Sequence, residues 1–179
     1  MEDQVETFTG VWVSLLSEFI RFIRRETTGL EGKLEIEVEI QSSADEFYNV
    51  WRNQVYHLPN ASDAVQNVQL HEGEWHSEDA VKLWNYTLEG KALTAKEKVE
   101  VDDANKVLTF NVIEGDLMEE FKTFKAIVKT TAKSDGRESL VKWTLDYEKL
   151  NEDVADPNAY IDLEATLTKD TDAYLINRA

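Results

Sequence analysis

Residues 138–150 read ESLVKWTLDYEKL, and after NEDVADP (151–157) the chain continues NAYIDLEATLTKDTDAYL (158–175). The first stretch alternates. Val141, Trp143, Leu145 and Tyr147 share one face, and Lys142, Thr144, Asp146 and Glu148 share the other. That is the period of a strand with one buried and one wet side. Beyond Asp156-Pro157 the period lengthens, with Tyr160, Leu163, Leu167 and Tyr174 at helical spacing and Leu175 beside the last. A proline just after an aspartate cap starts a helix well, because its missing N–H has no intrahelical partner to lose. A long last strand therefore hands over to a long last helix.

Working back from that junction, the other strands announce themselves in turn. KLEIEVEI (33–40) alternates strictly, with Leu34, Ile36, Val38 and Ile40 on one face and Lys33, Glu35, Glu37 and Glu39 on the other. SSADEF follows, with Ser42 or Ser43 as N-cap of a helix reaching about Arg52. Pro59 and Asn60–Asp63 mark a break. Strand signals then come at 65–73, 80–88, 92–101, 106–115, 121–131 and 138–150, with the short turns EGK, DDAN and SDGR among them. The order is strand, helix, six strands, long helix: an α+β domain with a seven-stranded antiparallel sheet. Trp84 and Tyr86 face inward on their strand, or Asn85 does, since both faces are partly apolar.

One long and one short helix must cover one whole face of this sheet, so the sheet has to curl around the helix. Curled sheets leave room for an apolar pocket, the default ligand site. A solid core is the other outcome the same pattern allows.

The first 28 residues are of a different kind. VWVSLLSEFIRFI (11–23) is the most apolar segment, and Phe8, Trp12, Leu15, Phe19 and Phe22 or Ile23 recur at helical spacing. Arg21, Arg24 and Arg25 follow at its C-terminal end, where cations suit a helix dipole. The segment is too short to span a bilayer and carries Glu18. Its acidic start and lack of a cleavage site make it a poor signal peptide. The spacing predicts a helix, with Thr27–Gly32 as connection. It would dock on the domain, pair two copies as a homodimer, touch a membrane surface peripherally through residues 8–25, or cover a ligand entrance, and a disordered arm is the remaining alternative. The chain thus divides into an extension (1–28) and a domain (29–179).

Composition excludes several function classes. The 179 residues carry a formal net charge of −17, which opposes nucleic-acid binding. There is no cysteine, so disulfides and thiolate chemistry are out, and a cytoplasmic location is expected. The only histidines are His57, His71 and His76, and no HExxH, GxSxG or P-loop pattern occurs. No metal site and no cofactor are expected.

Five stretches then carry a resemblance: GLEGKLEIEVEI (29–40), LHEGEW (70–75), WNYTLEGKA (84–92), VIEGDLMEEFKTFKA (112–126) and WTLDYEKLNEDVADP (143–157). In this order they resemble a plant major latex protein of the Bet v I, or pathogenesis-related class 10, superfamily. The resemblance implies the helix-grip, START-like fold, with an apolar cavity between sheet and long helix. It implies binding of a lipophilic small molecule such as a hormone, steroid or specialised metabolite. It also leaves room for an isomerase or cyclase of plant specialised metabolism, since some relatives carry out proton-transfer chemistry in the cavity. The loop after the second strand, glycine-rich in many relatives, reads EWHSED here (74–79).

Such chemistry needs a general acid or base in a water-poor pocket. Glu97 stands out. It interrupts the otherwise apolar face Leu93, Ala95, Val99, Val101, so its pKa should rise. Tyr147 shares the inward face of the last strand, and His76, with His71, lies where a cavity mouth would be. The candidate acid–base residues are therefore Glu97, Tyr147 and His76. The candidate lining is Leu93, Leu108, Phe110, Phe124, Ala126, Val128, Trp143, Leu145, Tyr160, Leu163 and Leu167. Glu114 and Asp116 flank Gly115 as turn residues, Lys122, Lys125 and Lys129 fit an outer face, and Glu148–Asp156 is a solvated turn.

Overall fold

The computed structural model describes residues 20–178. Strand β1 (Ile20–Thr28) is followed by β2 (Glu31–Ile40), α1 (Ala44–Asn53), a 3₁₀ turn at Val55–His57 and α2 (Leu58–Ala61). Then come β3 (Val65–Glu72), β4 (Val81–Leu88), β5 (Lys91–Asp102), β6 (Val107–Gly115), β7 (Phe121–Ala132) and β8 (Ser139–Lys149), with a 3₁₀ turn at Asp116–Glu119 between β6 and β7. The chain closes with α3 (Asn158–Arg178). The strands form one eight-stranded antiparallel sheet in the order β1-β2-β8-β7-β6-β5-β4-β3.

The strict alternation of β2 becomes burial. Leu34, Ile36, Val38 and Ile40 are buried, and the glutamates between them are half-exposed. α1 starts at a capping box in which Ser43 Oγ accepts from Glu46 N–H and the Glu46 carboxylate accepts from Ser43 N–H. Its inner face carries Phe47, Val50 and Trp51. The α1 outer side is tied to the β5–β6 turn, because Tyr48 donates to Asp103 at 2.8 Å and Arg52 pairs with the same carboxylate. α3 packs against β2, β8 and β4 and against α1 and α2. Asp172 holds it there by accepting from Ser42 N–H at 2.8 Å and from Gln41 N–H.

The sequence predicts seven strands; the structure has eight. Residues 20–28, expected to close a helix and then form a connection, pair along β2 from Ile20↔Val38 to Thr28↔Glu31. The physical reason is the free edge of β2, whose unpaired backbone groups accept a neighbour once the chain reverses at Gly29, where φ is +60°. Opposite charges then face one another across the pair, Arg24↔Glu35 and Glu26↔Lys33. Arg25, expected to complement a helix dipole, instead bonds Asn158 at 2.6 Å and Asp156 at 3.2 Å, next to α3. The rest of the predicted helix, including Phe8, Trp12, Leu15 and Phe19, lies outside the described residues. Among the described residues no helix is long and apolar enough to cross a membrane.

The acidic turn 148–156 also differs from its solvated expectation at one end. Asp156 accepts from Tyr147 at 3.0 Å and pairs with Lys149 at 2.7 Å as well as Arg25, so it is a knot between sheet and helix. Asp116 behaves as a turn residue, whereas Glu114, expected in the turn, is a strand residue of β6 opposite Lys96 of β5. Glu114 pairs with Lys96 at 2.7 Å, and Asp116 accepts from Thr94 N–H at 2.7 Å.

Candidate functional site

Inward positions from both the sheet and α3 meet around a cavity of about 70 Å³. Four aromatic rings close one end. Trp51 from α1 stands edge-on to Trp143 of β8 at 5.1 Å and to Phe110 of β6 at 6.0 Å, and stacks on Trp84 of β4 at 6.4 Å. At the other end Tyr160 of α3 meets Tyr86 of β4 and Phe124 of β7. Ala95 and Ala126 leave the space between, since neither side chain reaches across it. The inward pair Trp84 and Tyr86 also decides the β4 register, with both rings buried and Asn85 turned the other way.

Two carboxyl groups enter this apolar space from opposite walls. Glu97 of β5 is 7% exposed, and its Oε1 accepts from Trp84 Nε1–H at 2.6 Å. Burial pushes its pKa up to about 8, against the opposing pull of the Trp84 hydrogen bond and of Lys82. Glu164 of α3 is half-buried as a residue, and its Oε2 is fully buried without a hydrogen-bond partner. Burial, and then the nearby Glu97, raise its pKa to about 8 too. Lys82, the cross-strand partner of Glu97, is itself buried, and burial lowers its pKa. Its ammonium lies 5.8 Å from the centre of the Trp75 ring, and it does not line the cavity.

The structure brings Phe110, Phe124, Ala126, Trp143, Tyr160, Leu163 and Leu167 from the sequence-read set to the cavity wall, together with Glu97. It does not bring Leu93, Leu108, Val128 or Leu145 there. Leu108, Val128 and Leu145 are packed into solid core and Leu93 is half-buried, because an inward direction does not imply empty space beyond it. Tyr147 is buried, but it packs on Phe121 and bonds Asp156, away from the cavity. His76 and His71 are exposed on the β3–β4 side and do not reach the wall. Sequence reasoning left Trp84 and Tyr86 open between two registers, and it missed Trp51 and Glu164. A usable signal existed for the last, since Glu164 lies four residues from both Tyr160 and Thr168 on the face α3 buries. Among the described residues no group of three or more His, Cys, Asp or Glu side chains is placed to hold a metal.

Residues 29–178 match the family model for the pathogenesis-related protein Bet v 1 family. MLP-like protein 31 of Arabidopsis thaliana is 37% identical over 156 residues, spanning 86% of this chain and 91% of the relative. The chain belongs to the major latex proteins of the Bet v 1 family. Major latex protein 149 of Papaver somniferum is 38% identical over 152 residues, covering 84% of this chain and 95% of the relative. The chain spans about half the length of two further relatives, MLP-like proteins 28 and 34 of Arabidopsis thaliana (46% and 49%). Among solved structures, ginseng major latex-like protein 151 from Panax ginseng superposes with a TM-score of 0.77 at 40% identity, over 82% of this chain and 98% of that one. A START superfamily protein from Mycobacterium smegmatis (TM-score 0.67, 13% identity) shares the fold alone. The Bet v 1 fold is known for holding hydrophobic ligands, and in this member the apolar space with two carboxyl groups lies between sheet and last helix.

Proposed function

We propose that this major latex protein binds a lipophilic small molecule, such as a hormone, steroid or specialised metabolite, in the cavity between its sheet and α3. The observation that carries this reading is an aromatic-walled space in a core that is otherwise closely packed. Packing such a space with one more side chain would stabilise the fold, so a cavity kept open at that cost fits a ligand site. At about 70 Å³ it is smaller than the ~300–1,000 Å³ of ordinary ligand pockets. A drug-sized guest would therefore have to displace Tyr160 and Leu163 outward with the first turns of α3. A cytoplasmic carrier or sensor fits the absence of cysteine.

A second reading, a proton-transfer isomerase or cyclase, is favoured by one observation. Glu97 and Glu164 both hold their protons near neutrality beside an apolar space, as general acids and bases do.

The test is a tryptophan-quenching titration with the neutral probe N-phenyl-1-naphthylamine, since Trp51, Trp84 and Trp143 all border the cavity. Ala126→Leu fills the space and should weaken binding by at least about tenfold while circular dichroism is unchanged. Equal affinity in wild type and Ala126→Leu would place the probe elsewhere and sink the cavity reading. Turnover of a bound compound, lost in Glu97→Gln with binding retained, would favour the enzyme.

A further inference from the structure

The polar groups in the cavity wall are unevenly paired. Glu97 has one donor, Trp84 Nε1–H. Glu164 Oε2 has no donor, and the Nε1–H of Trp51, a residue 3% exposed that also borders the cavity, has no acceptor. Buried polar groups without partners cost on the order of 1–3 kcal/mol each, and native proteins rarely leave them so. Here they are gathered around one space that a guest could fill.

What kind of guest would pair them follows from the charges that face the space. Lys82 on β4 acts on Glu97 from outside the lining. Arg52 on α1 acts on Lys82 but is held by Asp103 at 3.3 Å. Glu164 on α3 and Asp116 in the turn before β7 act on Tyr86, adding negative charge only. Among the described residues no cation borders the cavity. An anionic lipophile could accept from Trp51 Nε1–H, but among the described residues it would find no cation in the wall to balance its charge. A neutral hydrocarbon would leave Glu164 as it is. A cation would gain a carboxylate, in a site where ion pairs are little screened. It would also lie against several aromatic faces, which attract cations.

Resting on the cavity reading above, we propose that the favoured ligand is an amine, an aromatic or aliphatic body whose single basic nitrogen lies between Glu97 and Glu164. Binding converts the neutral carboxyl pair to one carboxylate against one ammonium, so the complex forms with release of one proton to solvent. Phenylethylamines illustrate the chemistry. The proton leaves from the pair as a unit, because the two carboxyl groups titrate together.

The experiment uses the whole protein and three matched probes in isothermal calorimetry: 2-phenylethylamine, 2-phenylethanol and 3-phenylpropanoate. The amine should bind at least about tenfold tighter than the alcohol, and the acid more weakly than either. Below about pH 8 the amine's affinity should rise by up to about tenfold per pH unit, as release of one proton requires, while the alcohol's stays level. Its apparent enthalpy should differ between phosphate and Tris buffers by one proton's worth of buffer ionisation. Glu164→Gln, and independently Glu97→Gln, should each weaken the amine by about tenfold and leave the alcohol within about twofold. An alcohol that binds as tightly as the amine, or an amine untouched by both variants, overturns the proposal and leaves the lipophile reading standing. Failure of all three probes to bind overturns both.

Discussion

At the scale of single residues, Glu97 shows how far alternation reaches. Its inward direction is visible in LTAKEKVEV (93–101), because the residues two away on either side are apolar. Its partner Trp84 and its nearness to Glu164 are not visible, since they join β5 to β4 and to a helix some seventy residues later. The buried carboxyl makes a testable statement about stability. Below its usual value of 4.5 the group is protonated whether the chain is folded or not. Between there and about 8 the folded protein keeps a proton that the unfolded chain has released. The folded state therefore loses stability as pH rises across this window and levels off above it, by roughly a few kcal/mol in all. Glu97→Gln removes this group's share of the slope and leaves that of Glu164, whose pKa burial also raises. Urea denaturation of both proteins at about pH 5 and about pH 8.5 should show the wild type losing more stability between them than the variant. Parallel losses would mean that Glu97 is ionised in the folded protein.

At the scale of elements, β2 and β8 meet at a close approach that the sequence hides. Gly32 pairs with Tyr147 across the ladder, and a Cβ on Gly32 would run into the Tyr147 ring and hydroxyl. The glycine thus lets the ring lie across β2, where its hydroxyl reaches Asp156 at the start of α3. Gly32→Ala should cost about 1–3 kcal/mol by displacing the ring, despite alanine's better strand propensity. Tyr147→Leu in the same background should recover part of that loss, so a double-mutant cycle gives strong coupling. Additive effects would show that the ring does not rest on the glycine. β1 teaches the opposite lesson about legibility. Apolar spacing across residues 8–23 reads as helix, yet residues 20–28 are strand. The charges of RRETT (24–28) complement those of β2, but that signal exists only once the two segments are laid side by side.

For the whole molecule, the formal charge of −17 sets the electrostatics. Surface pairs such as Lys96–Glu114 and Lys122–Glu148 contribute little in open solvent and weaken with salt. The general repulsion among the excess acids also weakens, and it is the larger effect at this charge. Raising sodium chloride from about 20 mM to about 300 mM should therefore raise the melting temperature by a few degrees; a fall would mean that the pairs outweigh the repulsion. The same scale separates what each level of description decides. The sequence by itself determined the order of strands and main helices from β2 onward, the inward faces of the strands other than β4, the start of α1 at Ser42 or Ser43 and the singular place of Glu97. These are local, carried by periods of two and three to four residues. Only the tertiary structure decided which inward side chains border empty space, why Leu108 is core and Phe110 is wall, and that Trp51 and Glu164 join Glu97 there. It alone decided that residues 20–28 extend the sheet. A periodic pattern states which way a side chain points, whereas a cavity or a strand pairing depends on what lies opposite, and that is set by segments far away in the chain.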